Sequence, residues 1–349
     1  MTAFPTRPDA MDSGWLAAAL GAPAGSLTGF SASPVGTGQM CDSFRLTLDW
    51  ANRPQGAPTS IIAKCPSLDP ASRNIAERLG NYLLEVSWYR ELAGDIPVPR
   101  PACYFADIAA DGVDFLLLLE DLSPARQGDQ LAGAGADALM LAVDAAAKLH
   151  APLWNSPRID ALAWLQRDSR ELVRQLFPML YAGFRERYTG RLDEDCLALG
   201  AEIVARLDRW LDRTPPVRTV IHGDLRLDNI LFAPDASACW VLDWQTLGIG
   251  SGASDIAYLI GTGVADASAR RDLDRTAFDR WLAGLSAAGV TPDEEALWRE
   301  YRLGALSGYF MAVFASMSVE RTTRGDEMFA VMAERPARQA IDLDSLALL

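Results

Sequence analysis

Residues 217–247 constrain the fold of this chain more than any other segment, because short apolar stretches alternate there with polar turns. The pattern predicts short strands on both sides of residues 222–229, and a further strand that ends at Asp243. Asp224 and Asn229 lie in the loop and at its end. A fold that satisfies this pattern presents several oxygen-bearing side chains at neighbouring strand ends.

The length of 349 residues exceeds that of a typical single hydrophobic core, so two domains or two lobes are expected. No apolar run reaches the roughly 18 residues of a membrane-spanning helix. The N-terminus also lacks the layout of a secretory signal. We therefore expect a cytoplasmic protein without a membrane span.

Charge and residue counts exclude several classes of function. The net charge of −14 disfavours nucleic acid as a partner, since binding of a phosphate backbone requires a basic surface. The chain has 5 cysteines, none in a Cys-x-x-Cys pair, and 2 histidines, so neither a zinc site nor a disulfide framework is indicated. The sequence leaves the oligomeric state open.

The pattern of predicted secondary structure changes near residues 120–125. Alternating strands, one helical segment at residues 74–93 and an apolar run of strand length precede this point, and mostly helical sequence follows it. We predict an α+β fold, with an N-terminal lobe of residues 1–122 and a C-terminal lobe of residues 123–349. The first lobe contains an antiparallel sheet with one key helix, and a cleft beside it is a common place for a ligand.

Lys64 is the first candidate for binding phosphate. It lies in the apolar strand at residues 61–65, where alternation places it on one face together with Ile62. Glu85 lies on the helical segment, at the border of its buried stripe, where its carboxylate can pair with Lys64. For each residue alone, the alternative is an ordinary solvated side chain.

Gly36 and Gly38 lie in a predicted loop between strands. Glycine lets backbone amides approach phosphate oxygens closely, so both are candidates for nucleotide binding. The signal is weak, because Gly-x-Gly occurs in many turns. No Gly-Lys-Ser/Thr follows, so this is not a Walker loop.

Asp224, Asn229 and Asp243 are the candidates for chemistry. Asn229 and Asp243 suit Mg2+, which prefers hard oxygen ligands and takes few of them from the protein. Asp224 suits a group that orients an attacking hydroxyl or accepts its proton. The alternative is a turn built from Asp and Asn, which favour loops. The preceding His and Gly weaken that alternative.

The histidines and Asp255 are predicted to have structural roles. His222 is expected to hydrogen-bond the backbone and fix the loop, although a role as general base or metal ligand stays open. His150 is interpreted as a packing or capping residue at a helix end. Asp255 either caps a helix N-terminus or braces the loop that carries Asp224.

Together these residues resemble a known family. The pattern HGD-x4-N at residues 222–229, followed by Asp243-Trp244, is similar to the catalytic loop and metal-binding motif of aminoglycoside phosphotransferases and choline kinases. Those enzymes are small-molecule relatives of protein kinases. The resemblance covers most of the chain and implies a bilobal protein-kinase-like fold, ATP and Mg2+, and a small-molecule alcohol as phosphate acceptor.

The resemblance also assigns roles by position. Residues 118–122 resemble the hinge of the family, whose backbone would bind adenine mainly through Glu120 and Leu122. Lys64 and Glu85 match the lysine that contacts the nucleotide phosphates and its partner on a helix.

Further motifs resemble one branch of that superfamily, the ecdysteroid-kinase-like proteins, and also the kinase domains found alongside acyl-CoA dehydrogenases. These motifs lie at residues 38–40, 80–89, 128–130 and 222–229. The branch implies an acceptor alcohol that is often hydrophobic, but it does not identify the acceptor.

Two departures from protein kinases refine this interpretation. Trp244-Gln245 replaces the Phe-Gly that follows the metal-binding aspartate, and no activation segment is apparent after Asp243, which argues against protein substrates. Arg226 occupies the position of a lysine that faces the γ-phosphate, and we predict that it contacts this phosphate or its developing charge. Asp255 matches the aspartate that braces the catalytic loop.

Two alternatives to a small-molecule kinase stay open. An antibiotic phosphotransferase of the aminoglycoside type would surround a polycationic acceptor with carboxylates, and residues 193–195 form an acidic cluster, although such a run is more often a solvated surface. A non-catalytic nucleotide-binding protein is expected to lose a motif residue, and none is lost here.

The helical part also carries aromatic residues in the regions where an acceptor is expected to bind. Such residues belong to a core more often than to a pocket. They are Trp154, Trp164, Tyr181, Tyr188, Tyr301 and Tyr309.

Overall fold

A computed structural model describes residues 4–36, 40–319 and 321–349 of the chain. The chain forms two compact units. The first comprises Met1–Asp95, Arg100–Pro124 and Asp243–Thr246, and the second comprises Ile96–Pro99, Ala125–Leu242 and Leu247–Leu349. The predicted α+β class is confirmed, since an antiparallel sheet and many helices coexist.

The first unit is built on a five-stranded sheet whose neighbouring strands are all antiparallel. The strands are β1 (Leu27–Pro34), β2 (Cys41–Trp50), β3 (Ser60–Pro66), β4 (Cys103–Ile108) and β5 (Phe115–Glu120), in the spatial order β1-β2-β3-β5-β4. Its helices are α1 (Ser13–Ala19), α2 (Pro70–Leu79) and α3 (Asn81–Ser87), followed by a π-helical turn at Trp88–Leu92.

Strand β3 is buried on both faces, which explains its nearly continuous apolar sequence. Ile61, Ala63 and Cys65 pack into a core that includes α1, as the predicted alternation requires. Ile62 packs on the opposite face, against Tyr82 of α3 and other residues. Lys64 shares that second face, so the strand directs its ammonium toward the helix that carries Glu85.

The helical segment predicted at residues 74–93 is not continuous. Gly80 adopts a left-handed conformation with φ of 60°, and this ends α2 and starts α3. The break changes the orientation of the following turns relative to one continuous helix. The prediction that Glu85 lies at the border of a buried stripe was wrong, since Glu85 is almost completely buried and its carboxylate contacts Lys64, Trp244 and Gln245.

The second unit is mostly helical. Its helices are α4 (Ala136–His150), α5 (Arg158–Ala161), α6 (Arg170–Tyr188), α7 (Glu194–Ala205), α8 (Leu207–Leu211), α9 (Ala253–Gly263), α10 (Ala267–Ala287), α11 (Glu294–Ser318) and α12 (Thr323–Asp342). Its short strands are β6 (Arg126–Gln127), β7 (Thr219–Ile221), β8 (Ile230–Phe232), β9 (Cys239–Val241) and β10 (Gly248–Gly250). In the part of the chain that the structure describes, no helix is long and apolar enough to cross a membrane.

The strands of the second unit pair as two small antiparallel sheets, β10-β7 and β6-β8-β9. The loop of residues 222–229 therefore connects β7 of one sheet to β8 of the other. This arrangement confirms the strands that the sequence predicts around the loop.

Four of the aromatic residues considered for an acceptor pocket are core residues instead. Tyr181, Tyr188, Tyr301 and Tyr309 are each at most 7% exposed. Three of them pack in one cluster with side chains of α6, α7, α11 and α12. Burial of aromatic area in the helical core accounts for their presence.

Candidate active site

A buried cluster of charges surrounds Lys64 in the first unit. The Lys64 Nζ atom lies 2.6 Å from Oε2 of Glu85 and 2.9 Å from Oδ1 of Asp243. Glu85 is 1% exposed, whereas the side chain of Asp243 is 40% exposed. The structure thus brings together three residues that the sequence predicts as site residues.

Burial and charge act in opposite directions on this cluster. Burial by itself disfavours the ammonium of Lys64, but the carboxylates of Asp243 and Glu85 outweigh it, so the pKa of Lys64 lies well above its ordinary value. Burial raises the pKa of Glu85, and the Lys64 ammonium opposes that rise. Lys64 therefore carries a positive charge at neutral pH.

Trp244 and Gln245 hold the carboxylate of Glu85, a role that the sequence did not reveal. The Trp244 amide donates a hydrogen bond to Oε1 of Glu85 (3.3 Å), and Nε2 of Gln245 donates to Oε2 (3.1 Å). Asn81, one helical turn before Glu85, donates from Nδ2 to the Gln245 carbonyl (2.8 Å). The indole of Trp244 stacks on Trp88 with ring centroids 4.2 Å apart.

These contacts give a structural reason for the Trp-Gln pair that stands in place of Phe-Gly. The signal in the sequence was the spacing of Asn81 and Glu85, which places both on one face of α3. This spacing was not sufficient to predict the contacts with Trp244 and Gln245, because nothing in the sequence shows which distant segment packs against that face.

The hinge-like segment is anchored by a side chain that the sequence did not single out. Oδ2 of Asp121 accepts hydrogen bonds from Nε of Arg45 (2.6 Å) and from Oγ of Ser60 (2.7 Å). Glu120, the last residue of β5, donates its amide to the Ala102 carbonyl (2.8 Å). Leu122 lies just after Asp121, so the backbone predicted to bind adenine is anchored on both sides of Asp121 by the end of β5 and by the contacts of the Asp121 side chain.

The glycine-rich loop is described only in part. Gly36 is exposed and has φ of 79°, in the left-handed region that glycine adopts readily. Gly38 lies outside the described residues. Its predicted role in nucleotide binding stays a prediction.

In the second unit, Asp255 of α9 fixes the start of the loop at residues 222–229. Its carboxylate accepts hydrogen bonds from the amides of His222 (2.6 Å) and Gly223 (3.0 Å) and contacts Nε2 of His150 (3.1 Å). Burial alone would raise the pKa of Asp255, but the hydrogen bond from His150 and the other donors lower it below its ordinary value. Of the two roles considered for Asp255, the structure supports the brace.

The contacts of the two histidines define their tautomers. Nε1 of Trp281 donates to Nδ1 of His150 (3.0 Å), so Nδ1 is an acceptor and Nε2 carries the proton that faces Asp255. In His222, Nδ1 accepts from the amide of Asp224 (3.3 Å), and Nε2 donates to the Leu242 carbonyl (2.9 Å). Both rings connect backbone segments, which agrees with the structural role predicted for His222.

The carboxylate of Asp224 is held by three donors. Oδ1 accepts from the hydroxyl of Tyr258 (2.6 Å). Oδ2 accepts from Nδ2 of Asn229 (2.9 Å) and from Nε of Arg226 (3.2 Å). Asp224, Arg226 and Asn229 are thus brought together as predicted, whereas the contribution of Tyr258 was missed.

Arg226 lies between two carboxylates of its own loop. Its Nη1 atom is 2.7 Å from Oδ2 of Asp228 and 3.8 Å from Sδ of Met328 on α12, while Nε faces Asp224. Burial by itself lowers the pKa of Arg226, but Asp224 and Asp228 outweigh it and raise the pKa above its ordinary value. The predicted contact of Arg226 with a γ-phosphate stays a prediction.

Gln130 anchors the same loop from a segment distant in sequence. Its amide donates to Oδ1 of Asp228 (2.9 Å), its Oε1 accepts from the amide of Leu227 (3.0 Å), and its Nε2 donates to the carbonyl of Thr262 (2.6 Å). Nη1 of Arg335 donates in turn to the Gln130 carbonyl (2.9 Å). Gln130 belongs to a motif at residues 128–130 that the sequence singled out without a mechanism.

Asn229 and Asp243 supply the oxygen atoms predicted to bind metal. Nδ2 of Asn229 donates to the carbonyl and to Oδ2 of Asp224 (2.9 Å each), and the amide oxygen takes no part in these bonds. The Asn229 carbonyl accepts from the amide of Leu242 (2.8 Å), and Asp243 is the next residue. Asp243 has φ of 62°, a conformation that non-glycine residues adopt mainly where the surroundings demand it.

The sequence of the chain is similar to a known protein family and to several known proteins. A model of a family described as "Phosphotransferase enzyme family" matches residues 72–304. The chain is 29% identical over 179 residues to acyl-CoA dehydrogenase family member 11 of Gallus gallus, and 27% identical over 180 residues to the Homo sapiens protein of that name. Each match covers 46% of the chain but 20% of the relative, so the chain spans about a fifth of the length of these relatives.

Solved structures of kinases share the fold. Choline kinase from Cryptosporidium parvum superposes with a TM-score of 0.56 at 11% identity, covering 92% of this chain and 91% of that one. Plasmodium vivax ethanolamine kinase gives 0.53 at 12% identity, with coverage of 88% and 82%. A spectinomycin phosphotransferase in complex with ADP and spectinomycin gives 0.53 at 12%, with coverage of 91% and 94%. The predicted protein-kinase-like fold is thereby confirmed.

We expect Lys64→Met to lower the free energy of unfolding by about 3–5 kcal/mol, because it leaves the buried carboxylate of Glu85 without its cation. Adding Glu85→Gln should recover part of that loss, since both charges are then absent. Urea denaturation of both variants measures the difference, with exposed Lys148→Met as a control expected within about 0.5 kcal/mol of wild type. A double variant less stable than Lys64→Met alone would contradict this account.

Proposed function

We propose that this chain, which belongs to the phosphotransferase enzyme family, transfers the γ-phosphate of ATP to a hydroxyl group of a small molecule in the presence of Mg2+. The observation that carries the proposal is the carboxylate of Asp224, which three donors orient within a loop that Asp255 braces. Such a carboxylate is suited to orient an attacking hydroxyl.

The first unit would contribute the groups that bind the nucleotide. Lys64 carries a positive charge that Glu85 positions, and an ammonium in this state suits the α- and β-phosphates. The backbone of Glu120 and Leu122 would bind adenine, and the amides around Gly36 would approach the phosphates. The ADP bound to the spectinomycin phosphotransferase of the same fold supports a nucleotide here.

The residues assigned to Mg2+ fit that ion. The amide oxygen of Asn229 and the partly exposed carboxylate of Asp243 are hard oxygen donors, and Mg2+ takes few ligands from a protein. The ion would neutralise charge on the phosphates when bound. Lys64 pairs with Asp243, which compensates the charge of that carboxylate.

The chemistry requires one bond to form and one to break. The acceptor hydroxyl oxygen bonds to the γ-phosphorus, the bond from that phosphorus to the β–γ bridging oxygen breaks, and ADP leaves. The hydroxyl proton passes to the carboxylate of Asp224. The guanidinium of Arg226 would stabilise the negative charge on the transferring group.

A small acceptor with an apolar portion fits the second unit. Helix α9 begins at Ala253, soon after Asp243, and the short segment between them includes strand β10, which pairs with β7. That segment offers no room for an activation segment of the protein-kinase type. The half-buried side chain of Met328 contacts Arg226, so one apolar side chain lies beside the loop that carries Asp224.

The structure disfavours the antibiotic alternative in one respect. The acidic cluster at residues 193–195 is compensated by arginines: Asp193 and Asp195 pair with Arg338, and Glu194 pairs with Arg185. Carboxylates neutralised in this way are poor ligands for a polycationic drug. The non-catalytic alternative finds no support, because every predicted catalytic residue is retained.

A metabolite screen tests the proposed function. The protein, ATP and Mg2+ are incubated with a cell extract, and mass spectrometry identifies alcohols that gain a phosphate. We expect at least one such product, and its loss when Mg2+ is chelated. Binding of ATP without any phosphorylated product, across extracts and a panel of alcohols, would favour the non-catalytic alternative.

Replacement of Arg226 tests its role in the transfer. We expect Arg226→Ala to reduce kcat about 100-fold, because the developing charge loses a positioned donor, while the KM for ATP changes less. Steady-state kinetics with the identified acceptor measures both parameters, and exposed Arg321→Ala serves as control. Undiminished turnover in Arg226→Ala would remove this role.

A further inference from the structure

Tyr258 lies where it can control the carboxylate of Asp224. Its hydroxyl donates to Oδ1 of Asp224 over 2.6 Å, and its side chain is 3% exposed. Hydrogen bonds to an ionised carboxylate are among the strongest in proteins. The contact joins a buried residue of helix α9 directly to Asp224, the residue proposed to accept the proton.

Helix α9 presents Tyr258 and Asp255 on the same face, because residues three apart in a helix are neighbours. Asp255 holds the backbone of His222 and Gly223, and Tyr258 holds the side chain of Asp224. One rigid element therefore fixes both the main chain and the reactive group of the loop. A merely space-filling aromatic residue would not require a hydroxyl at this position.

The two carboxylate oxygens of Asp224 are not equivalent. Oδ2 accepts from both Asn229 and Arg226, which accounts for its two lone pairs. Oδ1 accepts from Tyr258, which accounts for one lone pair and leaves the second for another donor.

We propose that Tyr258 is a positioning residue for phosphate transfer, which directs the acceptor hydroxyl to the remaining lone pair of Oδ1 of Asp224. The inference rests on the proposed function and assigns the atom that receives the proton. The acceptor oxygen then lies beside the Tyr258 hydroxyl, and rotation of the carboxylate away from the acceptor is prevented.

The environment of Tyr258 favours the protonated form of its hydroxyl. Burial and the adjacent Asp224 carboxylate raise its pKa well above the ordinary value, and the Arg226 guanidinium only partly opposes this. The hydroxyl therefore remains a donor throughout the reaction and does not compete for the acceptor proton.

Tyr258→Phe removes the hydroxyl and keeps the ring. We expect kcat to fall about 10- to 100-fold, the effect of losing one hydrogen bond to a charged group, with the KM for ATP within about twofold of wild type. The acceptor is the alcohol found in the metabolite screen. Hydrolysis of ATP to ADP, with water as the phosphate acceptor, serves as a second readout. Thermal unfolding verifies that the variant is folded.

Tyr301→Phe is a matched control. Tyr301 is also buried in the second unit and donates to an aspartate, Oδ1 of Asp274, over 2.8 Å. It should lose similar stability but retain wild-type kcat. Loss of kcat in Tyr258→Phe but not in Tyr301→Phe supports the positioning role.

Three results would overturn the inference. Wild-type kcat in Tyr258→Phe shows that the hydroxyl does not position Asp224. Equal loss of kcat in Tyr258→Phe and Tyr301→Phe shows a general structural effect. Absence of transfer by the wild-type protein itself refutes the proposed function, and this result is distinct from the other two because it appears without any substitution.

Discussion

The buried carboxylate of Asp255 is the contact on which the second unit's site depends. It accepts hydrogen bonds from the amides of His222 and Gly223 and contacts the ring of His150, and the side chains of Asp255, His150 and His222 are buried. Hydrogen bonds from these two backbone amides to a charged carboxylate strongly fix the direction of the loop. That constraint fixes the start of the loop on which Asp224, Arg226 and Asn229 lie.

The first unit contains a buried ion pair between Lys64 and Glu85. A buried ion pair contributes little net stability, since the cost of desolvation offsets much of the attraction. The carboxylate of Glu85 is nevertheless held by the backbone amide of Trp244 and the side-chain amide of Gln245, and the indole of Trp244 stacks on Trp88. Net stability alone does not account for such a cluster, whereas the proposed binding of a phosphate by the Lys64 ammonium would.

Several features could be predicted from the sequence because they depend on local pattern. Alternation in β3 placed Lys64 on one face with Ile62, and that face packs against the helix that carries Glu85. The spacing of polar residues at positions 222–243 located the loop that carries Asp224. Asp255 could be anticipated as a brace, but only as one of two roles.

Other features depend on which distant segments meet. The left-handed Gly80 divides a helix that the apolar periodicity alone made continuous. Gln130 and Tyr258 act through contacts with a loop far away in the chain, and no local pattern specifies them. Tyr181 and Tyr309 were ambiguous for a related reason, because aromatic side chains look the same in a core and in a pocket.

Asp224 is proposed to serve the transfer step and not the binding of nucleotide. A single-turnover experiment with limiting ATP, Mg2+ and excess enzyme tests it most directly in Asp224→Asn, with Asp274→Asn as a buried control. We expect nucleotide affinity close to wild type in both variants, and a transfer rate at least about 100-fold lower in Asp224→Asn but not in Asp274→Asn. Transfer at the wild-type rate by Asp224→Asn would contradict it.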